Sequence, residues 1–204
     1  MYNSGMTAAE LVAAVKSEAD ISVTIPDSVW FRAINTVEQF LYTEILREYA
    51  SKKLTAADIE DDTIRISDII PDQNGADVPN YDDIIKVFAD DIEIERSGVI
   101  GATEFPEKDL YYTDYDGNLI LNLADYADEI TVIYRLRPAL KAEGSADTVA
   151  VPPEFLDLVA AKMRGEAYKI ANEDGLAAKW LADYNAQLES FKVWAADRNH
   201  RYGG

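Results

Sequence analysis

Apolar residues in the first fifty positions recur at helical spacing. Trp30, Ala33, Ile34, Val37, Phe40, Leu41 and Ile45 fall on one face, predicting a long helix that is capped by Asp27 or Ser28 and reaches about Tyr49. Upstream, Thr7-Ala8-Ala9-Glu10 reads as a capping box, in which a hydroxyl and a glutamate three residues apart serve each other's backbone N–H groups. It opens a short helix to about Ala19. Ile21 to Ile25 is expected to be extended, because the residue before Pro26 is pushed out of the helical region.

After residue 50 the period shortens. Thr63–Ile66, Ile84–Phe88 and Ile92–Arg96 are short β-type runs, and the last alternates apolar with charged residues as a half-buried strand does. Turn formers separate them: Pro71 to Gly75, Ala89-Asp90-Asp91 and Ser97-Gly98. Leu110–Thr113 and Leu119–Leu121 flank Asp114-Tyr115-Asp116-Gly117-Asn118, a hairpin signal. Ile130–Leu136 is the most strand-like run, and Pro138 ends it.

The helical period then returns. Pro152-Pro153 opens a helix, since proline is tolerated in a first turn. Its expected buried face is Leu156, Val159, Ala160, Met163, Ala167, Ile170 and Ala171. Asp174-Gly175 is read as the break. A final helix carries Leu176, Trp180, Tyr184, Leu188, Phe191 and Ala195 along one stripe, with Trp194 off it. Residues 198–204 read as a polar tail. The pattern predicts an α+β fold: a helical bundle of two N-terminal and two C-terminal helices with an inserted antiparallel β segment. The expected divisions are 1–53, 54–138, 139–196 and a flexible tail, 197–204.

Charge sharpens this division. The chain has 204 residues and a net charge of −19. From Leu54 to Ile130 there are 4 basic residues against 21 acidic ones, so this third carries −17. Residues 1–53 carry −2 and residues 131–204 are neutral. So acidic a β segment repels phosphate backbones and disfavours direct binding to nucleic acid or an anionic membrane. The absence of cysteine excludes a disulfide scaffold and thiolate chemistry. No basic start followed by an apolar run is seen at Met1–Gly5, and no apolar stretch approaches a membrane span. A soluble, non-exported chain is expected.

Searches for chemistry return little. His200 is the only histidine and lies in the tail, without the held geometry a base needs. Asp114 to Asn118 alternates carboxylates like a calcium loop. However, an EF-hand wants Gly at its sixth position and Glu at its twelfth, and Leu119 and Asp125 stand there. Phosphate-binding glycine loops are absent. The 38 acids offer carboxylate pairs without singling one out. Arg135 and Arg137 share a strand face and offer an anion or partner contact. No catalytic residue, cofactor or metal is expected.

The order of these elements resembles the head-to-tail connector (adaptor) proteins of tailed bacteriophages. The residues that carry the likeness are the helix from Val29 to Leu46, the hairpin at Asp116-Gly117-Asn118-Leu119, and Tyr134-Arg-Leu-Arg-Pro138. They continue with Val151-Pro152-Pro153-Glu154-Phe155 and the run from Ala177 to Leu188. The long acidic stretch from about Ala56 to Asp109 departs from shorter members. The resemblance implies a structural virion protein at the head–tail junction, assembled in the host cytoplasm. It implies a ring, commonly of twelve copies, between the portal protein and a downstream tail or stopper protein. DNA would pass through its channel without specific binding. The C-terminal segment would meet the portal through Trp194, Arg198, His200, Arg201 and Tyr202. Arg135, Arg137, Tyr112 and Tyr115 would serve a neighbouring subunit or the tail.

Two other readings remain open at this point. An acidic inhibitor could mimic DNA before a basic enzyme. A carboxylate-dependent polysaccharide enzyme would need an apolar cleft holding two carboxylates with split pKa values.

Overall fold

A computed structural model describes residues 5–55, 58–59, 63–65, 69, 84–97, 110–113, 118–123 and 127–202. The chain forms two compact units. Residues 1–46 and 140–204 make a helical unit, and residues 47–139 make a β unit. The fold class is α+β.

In the helical unit, α1 spans Ala8–Glu18 behind the expected capping box. The Thr7 N–H donates to Glu10 Oε2 at 2.8 Å, and the Glu10 N–H donates to Thr7 Oγ1 at 3.2 Å. Helix α2 spans Asp27–Phe40; its cap position is Pro26, so neither Asp27 nor Ser28 caps it. A π-helical turn, Leu41–Leu46, extends it. The helix does not reach Tyr49. Arg47 adopts a left-handed φ of 49°, and Tyr49 already belongs to a strand. The buried face of α2 also differs from the expected one. Phe40 is 37% exposed, while Glu38 is fully buried.

A 3-10 turn at Pro153–Phe155 leads into α3, Leu156–Ile170. Helix α4 spans Asp174–Tyr202. The break between them is not at Asp174-Gly175. Asn172 takes the left-handed conformation at φ 59°. The Glu173 N–H reaches Tyr168 O at 2.9 Å, and the Asn172 N–H reaches Lys169 O at 3.2 Å. These two bonds are a Schellman motif, with asparagine in the place glycine usually takes. The sharp reversal lays α4 back along α3. At their close approach a Cβ on Gly165 would sit 2.8 Å from Leu181 Cδ2, so the glycine sets the helix spacing.

The core of this unit joins Leu11, Trp30, Ile34, Val37, Leu41, Leu158, Met163 and Phe191. Ile170 and Leu176, expected in it, are 42% and 39% exposed. Each lies next to the α3–α4 reversal, where the facing helix has turned away. Trp180 and Tyr184 are half-buried. Arg164 lies 4.6 Å from the Trp180 ring and Lys162 lies 5.4 Å from that of Tyr184, so cationic stems cover the aromatic faces. Helix α4 continues through the segment expected as a separate tail.

The β unit holds a sheet ordered β1-β7-β3-β4-β5-β6-β2. The strands are β1 Tyr49–Thr55, β2 Thr63–Arg65, β3 Ile84–Ala89, β4 Ile92–Arg96, β5 Leu110–Thr113, β6 Asn118–Asn122 and β7 Glu129–Arg135. Strand β7 alternates strictly, burying Ile130, Val132 and Tyr134. It pairs antiparallel with β1 (Tyr49 opposite Arg135) and with β3 (Val87 opposite Val132). The β3–β4 hairpin turns on Asp90 and Asp91, both at positive φ (46° and 67°), as a two-residue primed turn requires. The Asp90 carboxylate accepts from the backbone N–H of Asp128 and of Glu129, which fixes the turn beside β7. Ile92 is 67% exposed, so only Ile94 of β4 is buried.

The sheet is antiparallel but for one pair. Strands β4 and β5 run parallel, with Glu95 opposite Leu110. Such a pair needs a crossover of about a dozen residues, and residues 97–109 lie between the two strands in sequence. Strands β5 and β6 pair as the expected hairpin, while its turn lies outside the described residues.

Candidate functional site

Polar groups inside the helical unit gather at one place. Glu38 lies on the apolar face of α2, between Ile34 and Leu41. Its Oε1 accepts from the Ala150 N–H at 2.5 Å, and Lys141 Nζ lies 3.6 Å from Oε2. Asn35, a turn earlier, accepts from the Lys141 N–H at 2.7 Å and donates to Lys141 O at 3.0 Å. The strap 140–150 is thus clamped to α2, and its far end pairs with the chain before α1 through Thr7 and Thr148. Burial pushes the Glu38 carboxyl above the ordinary range, opposed by the Ala150 N–H and the Lys141 charge. A raised carboxylate can mark an acid–base site. Here both partners are enclosed, which fits an internal tie.

Beside this clamp, α2 and the strap border a groove of about 620 Å³. Phe31, Arg32, Thr36, Gln39, Leu140 and Glu143 line it. Phe31 is buried, whereas Leu140 is 42% exposed.

The residues expected to meet partners fall in separate places. Trp194 has ring partners within its own unit. It is half-buried, with ring centroids 5.4 Å from Phe155 and 5.3 Å from Phe191. The Arg198 guanidinium lies 5.8 Å over its ring. His200, Arg201 and Tyr202 lie on the last turn of α4, and their side chains are outside the described set. Arg135 is half-buried on β7, and its Nε is enclosed without an acceptor among the described residues. Arg137 is half-buried just past that strand. Tyr112 lies in β5, three strand steps from β7, or about 14 Å. Tyr115 lies outside the described residues.

Sequence reasoning missed Glu38. Its signal was a charged residue four after Ile34 and three before Leu41, inside the apolar face. It also missed the groove, because the strap reaches α2 from about a hundred residues away.

Among the described residues no group of three acidic or histidine side chains is placed to hold a metal, and no helix is long and apolar enough to cross a membrane. The remaining pKa shifts are local. Backbone and hydroxyl hydrogen bonds from Thr7 lower Glu10, and those from Thr55 lower Asp58. Burial raises Tyr111 and Tyr184. What the described residues present is a groove and a long helix with an open outer face in the helical unit, and a seven-stranded sheet in the β unit.

The chain belongs to the SU10 adaptor protein family, which matches residues 6–204. It is a phage structural protein of the adaptor class, a virion component of the head–tail junction. No curated protein matches it.

Proposed function

We propose that copies of this chain close into a ring beneath the portal, extend the DNA channel and provide the tail's attachment site. The observation that carries the reading is the adaptor family match over nearly the whole chain. A ring follows from lateral contacts between two different surfaces of one subunit, which close when the rotation per copy is right. Twelve copies is the expected number.

The charge partition supports the reading. The β unit holds 9 Lys and Arg against 22 Asp and Glu, a net of −13, and the helical unit holds the other −6. Acid near the DNA path lowers adhesion, so DNA slides without sticking. The helices make the ring body in this proposal. The β unit meets a neighbour, the lumen or the downstream tail protein. The end of α4, with Arg198, His200, Arg201 and Tyr202, meets the portal. Cations there also suit the negative end of the helix dipole.

Negative-stain imaging of the purified chain with and without portal rings tests this. The expected result is a ring of density added beneath the portal. Monomers that ignore the portal at every concentration would sink it.

A further inference from the structure

We infer that the groove between α2 and the strap receives the outer face of α4 from a second copy, with Val193 as the inserted side chain. The inference rests on the ring reading and names the lateral contact that reading needs.

Val193 is 66% exposed, the most exposed large apolar side chain among the described residues of the helical unit. At 100° per residue it shares the open face of α4 with Ala182, Ala186, Ser190 and Ala196, all exposed. One turn either side of Val193 on this face stand Glu189 and Asp197, while Ala182, Ala186, Ser190 and Ala196 keep the rest of it low, so Val193 is the apolar side chain that projects there. The groove is the matching shape: an apolar hollow floored by buried Phe31 and edged by half-exposed Leu140. Polar groups match as well. Glu189 and Lys192 form an ion pair at 2.7 Å beside Val193, and the groove carries one cation, Arg32, and one anion, Glu143, at its exposed border. Arg32 can face Glu189, and Glu143 can face Lys192.

Knob and groove are different surfaces of the same unit. A contact between them is therefore heterologous, each copy offering the knob to one neighbour and the groove to the other. This kind of contact builds rings rather than closed dimers.

The chain has no cysteine, so the double variant Thr36→Cys/Val193→Cys introduces the only thiols. The full-length variant is assembled into particles, oxidised and run on non-reducing gels. A ladder of covalent multimers is expected, with monomers from either single variant. Particles that contain the adaptor but give no ladder overturn this contact and leave the ring standing. A ladder capped at dimers from Val193→Cys alone also overturns it, because the contact would then be two-fold. Particles that incorporate neither the variant nor the unaltered chain overturn the ring reading itself. Val193→Asp provides an independent measure. Its far-UV circular dichroism stays unchanged, incorporation falls by at least about tenfold as an apolar knob becomes a charge, and Val193→Ile retains it. Incorporation of Val193→Asp at the unaltered level overturns the contact.

Discussion

The two units handle charge in opposite ways. The helical unit spreads a small excess over its surface and buries one pair, Glu38 with Lys141. The β unit carries about twice the net charge, and two of its ion pairs, Lys53 with Glu129 and Lys86 with Glu93, lie at the surface. A buried pair fixes geometry at a cost in desolvation, and an exposed pair fixes little. The helical unit is therefore held to a defined shape, which the proposed ring body would require.

The largest effect should come from breaking that contrast at Glu38. Glu38→Ala strips Lys141 of its enclosed partner and the Ala150 N–H of its acceptor. A loss of about 3–5 kcal/mol is expected, read by urea unfolding at the helical dichroism band. Replacing both partners, as Glu38→Leu/Lys141→Met, should recover most of it, because no charge is left unpaired. The exposed pairs are the control: Lys53→Ala and Lys86→Ala should leave the unfolding midpoint where it is. Equal losses at Glu38 and at Lys53 would erase the distinction between the units.

A smaller effect is expected at Gly165. Alanine is the better helix former by about 1 kcal/mol, yet its Cβ would press on Leu181, and overpacking costs about 1–3 kcal/mol. Gly165→Ala should therefore destabilise, and Gly165→Ala/Leu181→Ala should relieve the clash while leaving the cost of the truncated leucine. A stabilised single variant would show that α3 and α4 are free to move apart, against the reading of the helical unit as the rigid one.

Much of this was legible in the sequence, and the exceptions share a cause. Both closing helices, the capping box and the alternation of β7 follow from local period and local hydrogen bonds, so residue order alone reveals them. The left-handed Asn172 was hidden behind the Asp-Gly pair two residues on, and no local turn former marks the left-handed Arg47. Strand order was hidden too. Nothing local shows that β3 enters between β7 and β4, or that β4 and β5 run parallel. The groove and the Glu38 clamp join α2 to residues about a hundred positions later, and no periodicity reports a contact at that separation. Trp194 shows the converse. Beside charged residues it offers an interface candidate, with packing against other helices the simpler reading, and its actual ring partner Phe155 comes from the 3-10 turn, which no period along α4 reports.

The smallest expected effect separates two carboxyls, Glu38 of the helical unit and Asp58 of the β unit, by the sign of their response to pH. Glu38 binds its proton more tightly folded than unfolded, because burial raises its pKa. Its contribution to stability is therefore full below the ordinary glutamate range and declines as pH rises from that range through the raised value. Asp58 in the β unit behaves oppositely. The Thr55 N–H and hydroxyl hold its pKa below the ordinary range, so its contribution is present above that range and lost as pH falls through the lowered value. Glu10 shares this direction through Thr7, which gives the helical unit one group of each sign. Glu38→Gln should flatten the decline of stability on the neutral side of the glutamate range, and Asp58→Asn should flatten the loss on the acid side. Urea midpoints measured across the carboxylate range check both. A Glu38→Gln profile as steep as that of the unaltered chain would mean that Glu38 titrates as an exposed carboxylate, and the clamp on the strap would be open.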